Sequence, residues 1–322
     1  MSLTLVESSK YSNNVLQRGV IELIVKDDPI LSRLGFKDIK GNGLTYDVET
    51  SLSGADFYQV GDTWVESTST VTQHTAHTKI LGGDADVDNY LQATRSNVQD
   101  LMSEQIEAKT KAIRHAFLTT LFYGDNSTEG ARFDGLHQII DSVTYNTVTA
   151  SASSGNPAVL SMAKLEETID LILDGKADML VMTKQMRRSI NAYLKSVGGL
   201  TYDDAADGRV QTILGVPVHV SDFLSNDESC DNDYGSSQYG HNPSDGTALG
   251  DDDNSTTIFA LQFGPKALSG VQSMPITVEK FKKLETKDAS RTRIKWYPSI
   301  MVQSIISCSK LTGLQPAGTV TA

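Results

Sequence analysis

Six histidines (His74, His77, His115, His137, His219, His241) and two cysteines (Cys230, Cys308) are the side chains here best suited to bind a metal or to act as acid, base or nucleophile. Their spacing works against those roles. His74 and His77 fall in a stretch that alternates like a strand, where residues i and i+3 point to opposite faces, so the pair cannot close on one ion. There is no HExxH, no CxxC, no GxxxxGK[ST], no GxGxxG and no GxSxG motif. Neither cysteine has a neighbour that would activate its thiol. Gly82-Gly83-Asp84-Ala85-Asp86-Val87-Asp88-Asn89 has the aspartate spacing of a calcium loop. It fails at the sixth position, where Asn89 replaces glycine, and at the twelfth, where Arg95 replaces glutamate. These acids are expected instead to lead into a long helix and to favour its N-terminal dipole. Asp251-Asp252-Asp253-Asn254 is the remaining cation candidate, but consecutive carboxylates splay in different directions and rarely converge on one ion. The sequence therefore names no catalytic residue, no cofactor site and no metal site.

Composition narrows the classes further. The chain has 322 residues, a net charge of −12, 39% hydrophobic residues and 21% charged residues. At about 150 residues each, that length fits roughly two domains, and the apolar content is enough for a real core. No apolar run approaches the roughly 18 residues of a membrane span. The first residues have neither a basic segment nor a long apolar run, so no signal peptide is visible. Two cysteines fit a reducing compartment. The acidic balance argues against a nonspecific nucleic-acid binder. The charge is also uneven. Residues 224–257 hold Asp227, Glu228, Asp231, Asp233, Asp245, Asp251, Asp252 and Asp253 with no Lys or Arg, and read as a long solvated surface loop. Residues 279–295 run the other way, with Lys280, Lys282, Lys283, Lys287, Arg291, Arg293 and Lys295.

The elements that would position these groups follow from periodicity. Val15, Leu16, Val20, Leu23 and Ile24 have helical spacing, and Asp28-Pro29 is a second helix start with Ile30, Leu31 and Leu34 on one side and Gly35 as a stop. Leu44, Tyr46 and Val48 alternate with polar residues, as does the Thr-rich run 71–80, giving two strands of a long hairpin. Such a hairpin is marginal alone. With Phe57, Tyr58, Val60 and Trp64 it either folds back on its own domain or packs on a neighbouring subunit. Residues 88–123 form the best helix, with Val98, Leu101, Met102, Ile106, Ile113, Ala116, Phe117 and Leu121 on its apolar stripe. Residues 142–156 read as a linker or edge strand. An α/β block follows: a helix from 161, a buried strand at 177–182, a helix capped by Thr183 and ended by Gly198-Gly199, and a strand over 212–220. Further strands are expected at 257–263, 275–284, 291–296 and 300–307. The whole reads as α+β in two interleaved domains, with Trp296 and Tyr297 placed in a core by default.

This ordered set resembles the major capsid proteins of tailed bacteriophages, with the shell fold named after phage Hong Kong 97. Residues 1–35 resemble the N-arm, and 36–82 the extended loop, including Phe57-Tyr58-Gln59-Val60-Gly61-Asp62-Thr63-Trp64-Val65-Glu66. Residues 83–155 and 276–322 resemble the peripheral domain with its spine helix at 97–123. Residues 156–275 resemble the axial domain, through 176–196, Gly208-Arg209 and Ile213-Leu214-Gly215-Val216-Pro217-Val218, with the acidic loop 224–257 as a decoration. The return strands would be Asp288-Ala289-Ser290-Arg291-Thr292-Arg293-Ile294-Lys295-Trp296-Tyr297-Pro298-Ser299.

The resemblance implies a non-enzymatic subunit that assembles with itself into hexameric and pentameric capsomers. These would form an icosahedral or prolate head around phage double-stranded DNA, touched only weakly. Phe57, Tyr58, Val60, Trp64, Glu66, Arg291 and Arg293 are the expected subunit-interface residues. A portal protein and a decoration protein are implied as partners, and no membrane. With Met1 as the encoded start there is no built-in scaffold, so a separate scaffolding protein is expected. Some members crosslink through a lysine near the loop tip. No Lys lies between positions 41 and 78 here, so no covalent crosslinks are expected. An encapsulin-type compartment shell is the alternative with the same fold. A soluble α+β enzyme using the acidic loop as a lid is the alternative from another class.

Overall fold

The computed structural model describes residues 28–51, 53–90, 94, 101–127, 130–142, 146–150, 157–173, 176–199, 201–205, 208–226, 228, 255–281 and 287–321. Most of the expected arm (1–27), the start of the spine helix (97–100) and most of the acidic stretch (229–254, with the cation candidate 251–254) lie outside the described residues. In chain order the elements are α1 (Pro29–Arg33), β1 (Phe36–Asp38), β2 (Gly43–Ser51), β3 (Thr70–His77), β4 (Leu81–Asp88), α2 (Leu101–Tyr123), α3 (Leu136–Asp141), β5 (Thr147–Thr149), α4 (Met162–Asp170), β6 (Met179–Met182), α5 (Lys184–Val197), β7 (Thr201–Ala205), β8 (Gly208–Ile213), β9 (Val216–Val220), β10 (Thr256–Leu261), β11 (Leu268–Phe281), β12 (Ala289–Val302) and β13 (Cys308–Leu314).

Three sheets result. A four-stranded sheet runs β1-β11-β12-β4, a seven-stranded sheet β5-β13-β10-β6-β9-β8-β7, and β2-β3 form a separate antiparallel ribbon. The central strands of the large sheet are buried on both faces, which accounts for their nearly continuous apolar runs. Met179, Val181, Phe259 and Leu261 face the core built around α2, while Leu180, Met182, Ile258 and Ala260 face α4 and α5. The first core also fills the space between α2 and the four-stranded sheet. There Trp296 is fully buried, stacked on Phe117 at 4.7 Å and tilted against Phe36 at 5.3 Å. The Phe36 ring lies on Gly270, where an added Cβ would come within 2.5 Å of it, so only glycine fits.

The local signals explain most of these elements. Asp28 accepts the Ile30 N–H at 2.8 Å and Pro29 opens α1. Thr183 accepts the Met186 N–H, and Gly198 closes α5 at φ 76°. Ile30, Leu31 and Leu34 are fully buried in the first core, so residues 28–35 are ordered by their own chain and do not depend on neighbours.

Several expectations need correction. Asp84 and Asp86 lie within strand β4 and not at a helix N-terminus, whereas Asp88, the last residue of β4, accepts the Tyr90 N–H at 2.8 Å where the chain turns helical, as expected of a helix-start acid. The run 212–220 is two strands, because Leu214 (φ 52°) and Gly215 (φ 78°) form a two-residue hairpin turn. Residues 291–302 are one strand through Pro298. The proline is tolerated because β4 ends its ladder at Trp296, so no strand partner requires its missing N–H; its carbonyl accepts the Lys79 N–H at 3.1 Å, and the register with β11 is irregular nearby. β5 and β13 lie in the large sheet, β1 and residues 268–275 in the four-stranded sheet, and both sheets pack against α2.

Candidate assembly surface

The ribbon β2-β3 is paired in antiparallel register from Gly43↔His77 to Ser51↔Thr70. At about 3.3 Å per residue its paired part is roughly 25 Å long. Its root is fastened. Ala76, with Ile39, Leu44 and Tyr46, packs on Val271 and Met301. Thr78 and Ser273 share a hydroxyl hydrogen bond at 2.9 Å, and the Lys79 ammonium donates to the Gly130 carbonyl at 2.7 Å. Val48 is still buried part-way along β2, and beyond it the described residues of the ribbon and tip are largely exposed.

The tip, residues 53–69, has internal order although it carries no strand. The Asp62 N–H donates to the Gln59 carbonyl, closing a four-residue turn with Gly61 at φ 100°, the position a type II turn reserves for glycine. The Gln59 N–H donates to the Asp62 carboxylate at 2.6 Å, and the Ser67 hydroxyl to the Gly54 carbonyl at 2.8 Å. Tyr58 and Trp64 stack at 4.6 Å, and the Tyr58 hydroxyl accepts the Val65 N–H. On this frame Phe57 and Val60 are more exposed than in a reference peptide, at 107% and 109%, with Trp64 at 79% and Val65 at 73%. Glu66 is exposed beside them. An ordered loop that presents four large apolar side chains to water has the character of an interface core lacking its partner. The tip does not fold back on its own domain.

Arg291 and Arg293, the other expected interface residues, are far along the chain on β12 and are engaged at home. Arg291 grips Asp86 through two hydrogen bonds of 2.7 Å, and Arg293 grips Asp84 through two of 2.6 and 2.7 Å. The Arg293 guanidinium hydrogen bonds hold the Asp84 carboxyl below the usual carboxylate range. Lys295 pairs with Glu279 at 2.8 Å. This ladder neutralises three of the seven cations of the basic run and secures the edge strand β4 to its neighbour.

Sequence reasoning missed a second polar group, at the base of the acidic stretch. Glu228, expected on a solvated loop, is buried. It accepts the Tyr123 hydroxyl and the Thr257 hydroxyl, each at 2.5 Å, and lies 3.6 Å from His137 Nε2. The Glu228 and Ser255 backbones bridge the two ends of the stretch. Lys310 is fully buried nearby, paired with Asp141. Burial, then the Glu228 charge, pushes the Tyr123 phenol well above its ordinary value. Burial lowers His137 and Lys310 against the opposing pull of Glu228 and Asp141. The strand β13 that carries Lys310 reads Cys-Ser-Lys-Leu-Thr-Gly-Leu, and its polar letters hide a fully buried strand.

No arrangement among the described residues offers a metal cage. A cavity of about 320 Å³ between the ribbon root and α3 is lined by Tyr46, His74, Asp134, Gln138 and Cys308, among others. Burial pushes the Cys308 thiol up to about 11, the reverse of what a nucleophile needs. No helix among the described residues is long and apolar enough to cross a membrane.

The fold has counterparts of known structure. It superposes on the holo-SrpI encapsulin complex of Synechococcus elongatus PCC 7942 with a TM-score of 0.63 and 14% identity, covering 92% of this chain and 91% of that one. It matches a chain from Mycobacterium phage Adephagia (TM-score 0.58, 13% identity, 88% and 89% covered) and the capsid of Cyanophage P-SCSP1u (0.55, 12%, 86% and 85%). At these identities the likeness establishes the fold, and no curated protein matches the sequence. The family model for the SU10 major capsid protein matches residues 4–223, more than half of the chain. This chain belongs to the SU10 major capsid protein family. It is a structural subunit of a virion capsid that self-assembles into capsomers, and its α+β fold is that of the phage capsid shell.

Proposed function

We propose that this capsid protein builds a closed icosahedral or prolate head around phage double-stranded DNA, and that each copy lays its β2-β3 ribbon across a neighbour in the same hexameric or pentameric capsomer. The observation that carries this reading is the contrast along the ribbon, with a root fastened to its own sheet and an ordered tip exposing Phe57, Val60, Trp64 and Val65. In this reading Phe57, Tyr58, Val60, Trp64 and Glu66 meet the neighbour. Arg291 and Arg293 meet it only as pairs already neutralised by Asp86 and Asp84. The four-stranded sheet with α2 corresponds to a peripheral domain, and the seven-stranded sheet with α4 and α5 to an axial domain. The two share one core, which suits a subunit that transmits shell strain.

The chain works by assembly and not by catalysis. Each contact is modest, and closure stabilises the shell because every subunit donates and accepts many. A separate scaffolding protein, a portal protein, a decoration protein and weakly held DNA complete its partners. Negative-stain imaging and sedimentation of the purified protein test the reading. Capsomers or shells are expected, and a small monodisperse particle at all concentrations would reject it. Uniform shells from this chain alone would count against the scaffolding protein.

A further inference from the structure

Helix α5 carries a charged face that ribbon-mediated assembly leaves unassigned. Lys184, Arg187, Arg188 and Lys195 are its only charged residues, and its fourteen residues include no acid. At 3.6 residues per turn the four fall within one sector of about 100°, on the side away from the buried Met186 and Ile190. Asp222 holds Lys184 at 2.6 Å. Arg187, Arg188 and Lys195 are exposed and, among the described residues, have no acidic partner. Like charges three and four residues apart weaken a helix that has nothing to balance them, so this concentration of cations on a chain of net charge −12 calls for an external anion. Beside the stripe runs a groove of about 690 Å³ lined by Gln185, Arg188, Ser189, Tyr193 and Ser196, with residues 317–320 as its far wall. Guanidinium, amide and hydroxyl donors in one strip form the set that contacts phosphate and sugar without reading bases.

We propose that this face of α5 contacts the phosphate backbone of the packaged double-stranded nucleic acid and so lies on the inner surface of the shell. The proposal rests on the DNA-enclosing reading above. From Lys184 to Lys195 the stripe is about 17 Å long at 1.5 Å per residue, and duplex DNA presents one charge per roughly 1.7 Å of axis, so the lengths suit a phosphate row. The ribbon tip of a second copy is the poorer occupant. Its exposed Phe57, Val60, Trp64 and Val65 need an apolar seat, whereas the stripe itself offers only Lys and Arg side chains, the apolar lining being confined to the groove beside it.

The test is a salt titration of the full chain, as capsomers, against a short labelled DNA duplex. Three phosphate contacts give a log–log slope near −2.7, so raising salt from 50 to 200 mM weakens binding about 40-fold. The R187E/R188E/K195E variant should still form capsomers, bind more weakly by roughly tenfold or more at low salt and lose most of that slope. R187K/R188K should keep both. K37E/K40E/K266E makes the same charge change at exposed sites elsewhere and should keep the slope. Equal losses in the two charge-reversed triples would overturn the proposal in favour of bulk charge. Retained DNA binding with lost capsomers would overturn it in favour of a protein partner. Imaging of the unaltered chain reads the shell separately, so the two ideas fail by different measurements.

Discussion

Replacing Phe57 with alanine tests the ribbon directly, because its side chain is fully exposed in the single chain. Burying such a ring against a neighbour contributes about 2 kcal/mol, within the 1.5–3 kcal/mol of a fully buried large apolar side chain. Each subunit donates one tip and accepts one, so the loss per subunit is one contact. At about 1.4 kcal/mol per factor of ten, the concentration threshold for assembly rises roughly 30-fold. Adding Val60→Ala removes about 1.5 kcal/mol more and brings the rise to roughly 300-fold. Light scattering against protein concentration gives the threshold, and sedimentation identifies the products. The dissociated subunit should unfold within about 2 °C of the unaltered one, since exposed substitutions usually change stability by less than about 0.5 kcal/mol. Assembly at the unaltered threshold would refute the reasoning. So would a melting point several degrees lower, which would mean that Phe57 packs on its own chain.

Trp296→Ala empties the centre of the first core and strips Gln272 of the indole N–H it accepts at 3.1 Å; a loss of about 3–5 kcal/mol is expected in denaturant titration. Asp141→Leu removes the carboxylate that pairs with the buried Lys310 ammonium and should cost about 3–5 kcal/mol, whereas D141L combined with Lys310→Met should recover most of it. Burial keeps His137 neutral and lowers its pKa, so the unfolded chain takes up that proton first. The associated stability is present above about pH 6.5 and is lost as pH falls through the lowered value. His137→Gln should flatten the unfolding profile over that window. Finally, with no lysine on the ribbon between positions 41 and 78, denaturing gels of mature particles should show monomers, and a ladder of covalent multimers would contradict this.

The sequence was most legible where local chemistry acts alone. The Asp28-Pro29 cap, the Thr183 and Gly198 ends of α5, the alternation of β2 and the apolar stripe of α2 at Ile106, Ile113, Phe117 and Leu121 are each decided within a few residues and appear in the structure, although Ala116 of that stripe is exposed and Val98 lies outside the described residues. The bare aromatics of residues 57–64 could be recognised because an isolated hairpin has no other use for them. What stayed hidden depends on distant partners. Asp84 and Asp86 read as helix-start acids, since nothing nearby announces Arg293 and Arg291 two hundred residues later. Pro298 looked like a strand break because the point where β4 stops pairing is a tertiary fact. Glu228 is indistinguishable in sequence from its acidic neighbours until Tyr123, Thr257 and His137 surround it. β13 was masked by Ser309, Lys310 and Thr312, polar residues that only a buried ion pair and long-range hydrogen bonds make tolerable inside a sheet.

The central claim is that the ribbon tip belongs against another copy of the chain. A cryo-EM reconstruction of assembled particles tests it most directly. The account predicts a closed shell in which residues 53–69 of each subunit lie on a neighbour, with Phe57 and Val60 buried in that contact. A shell whose tips stand free in solvent, or lie on their own subunit, would contradict it.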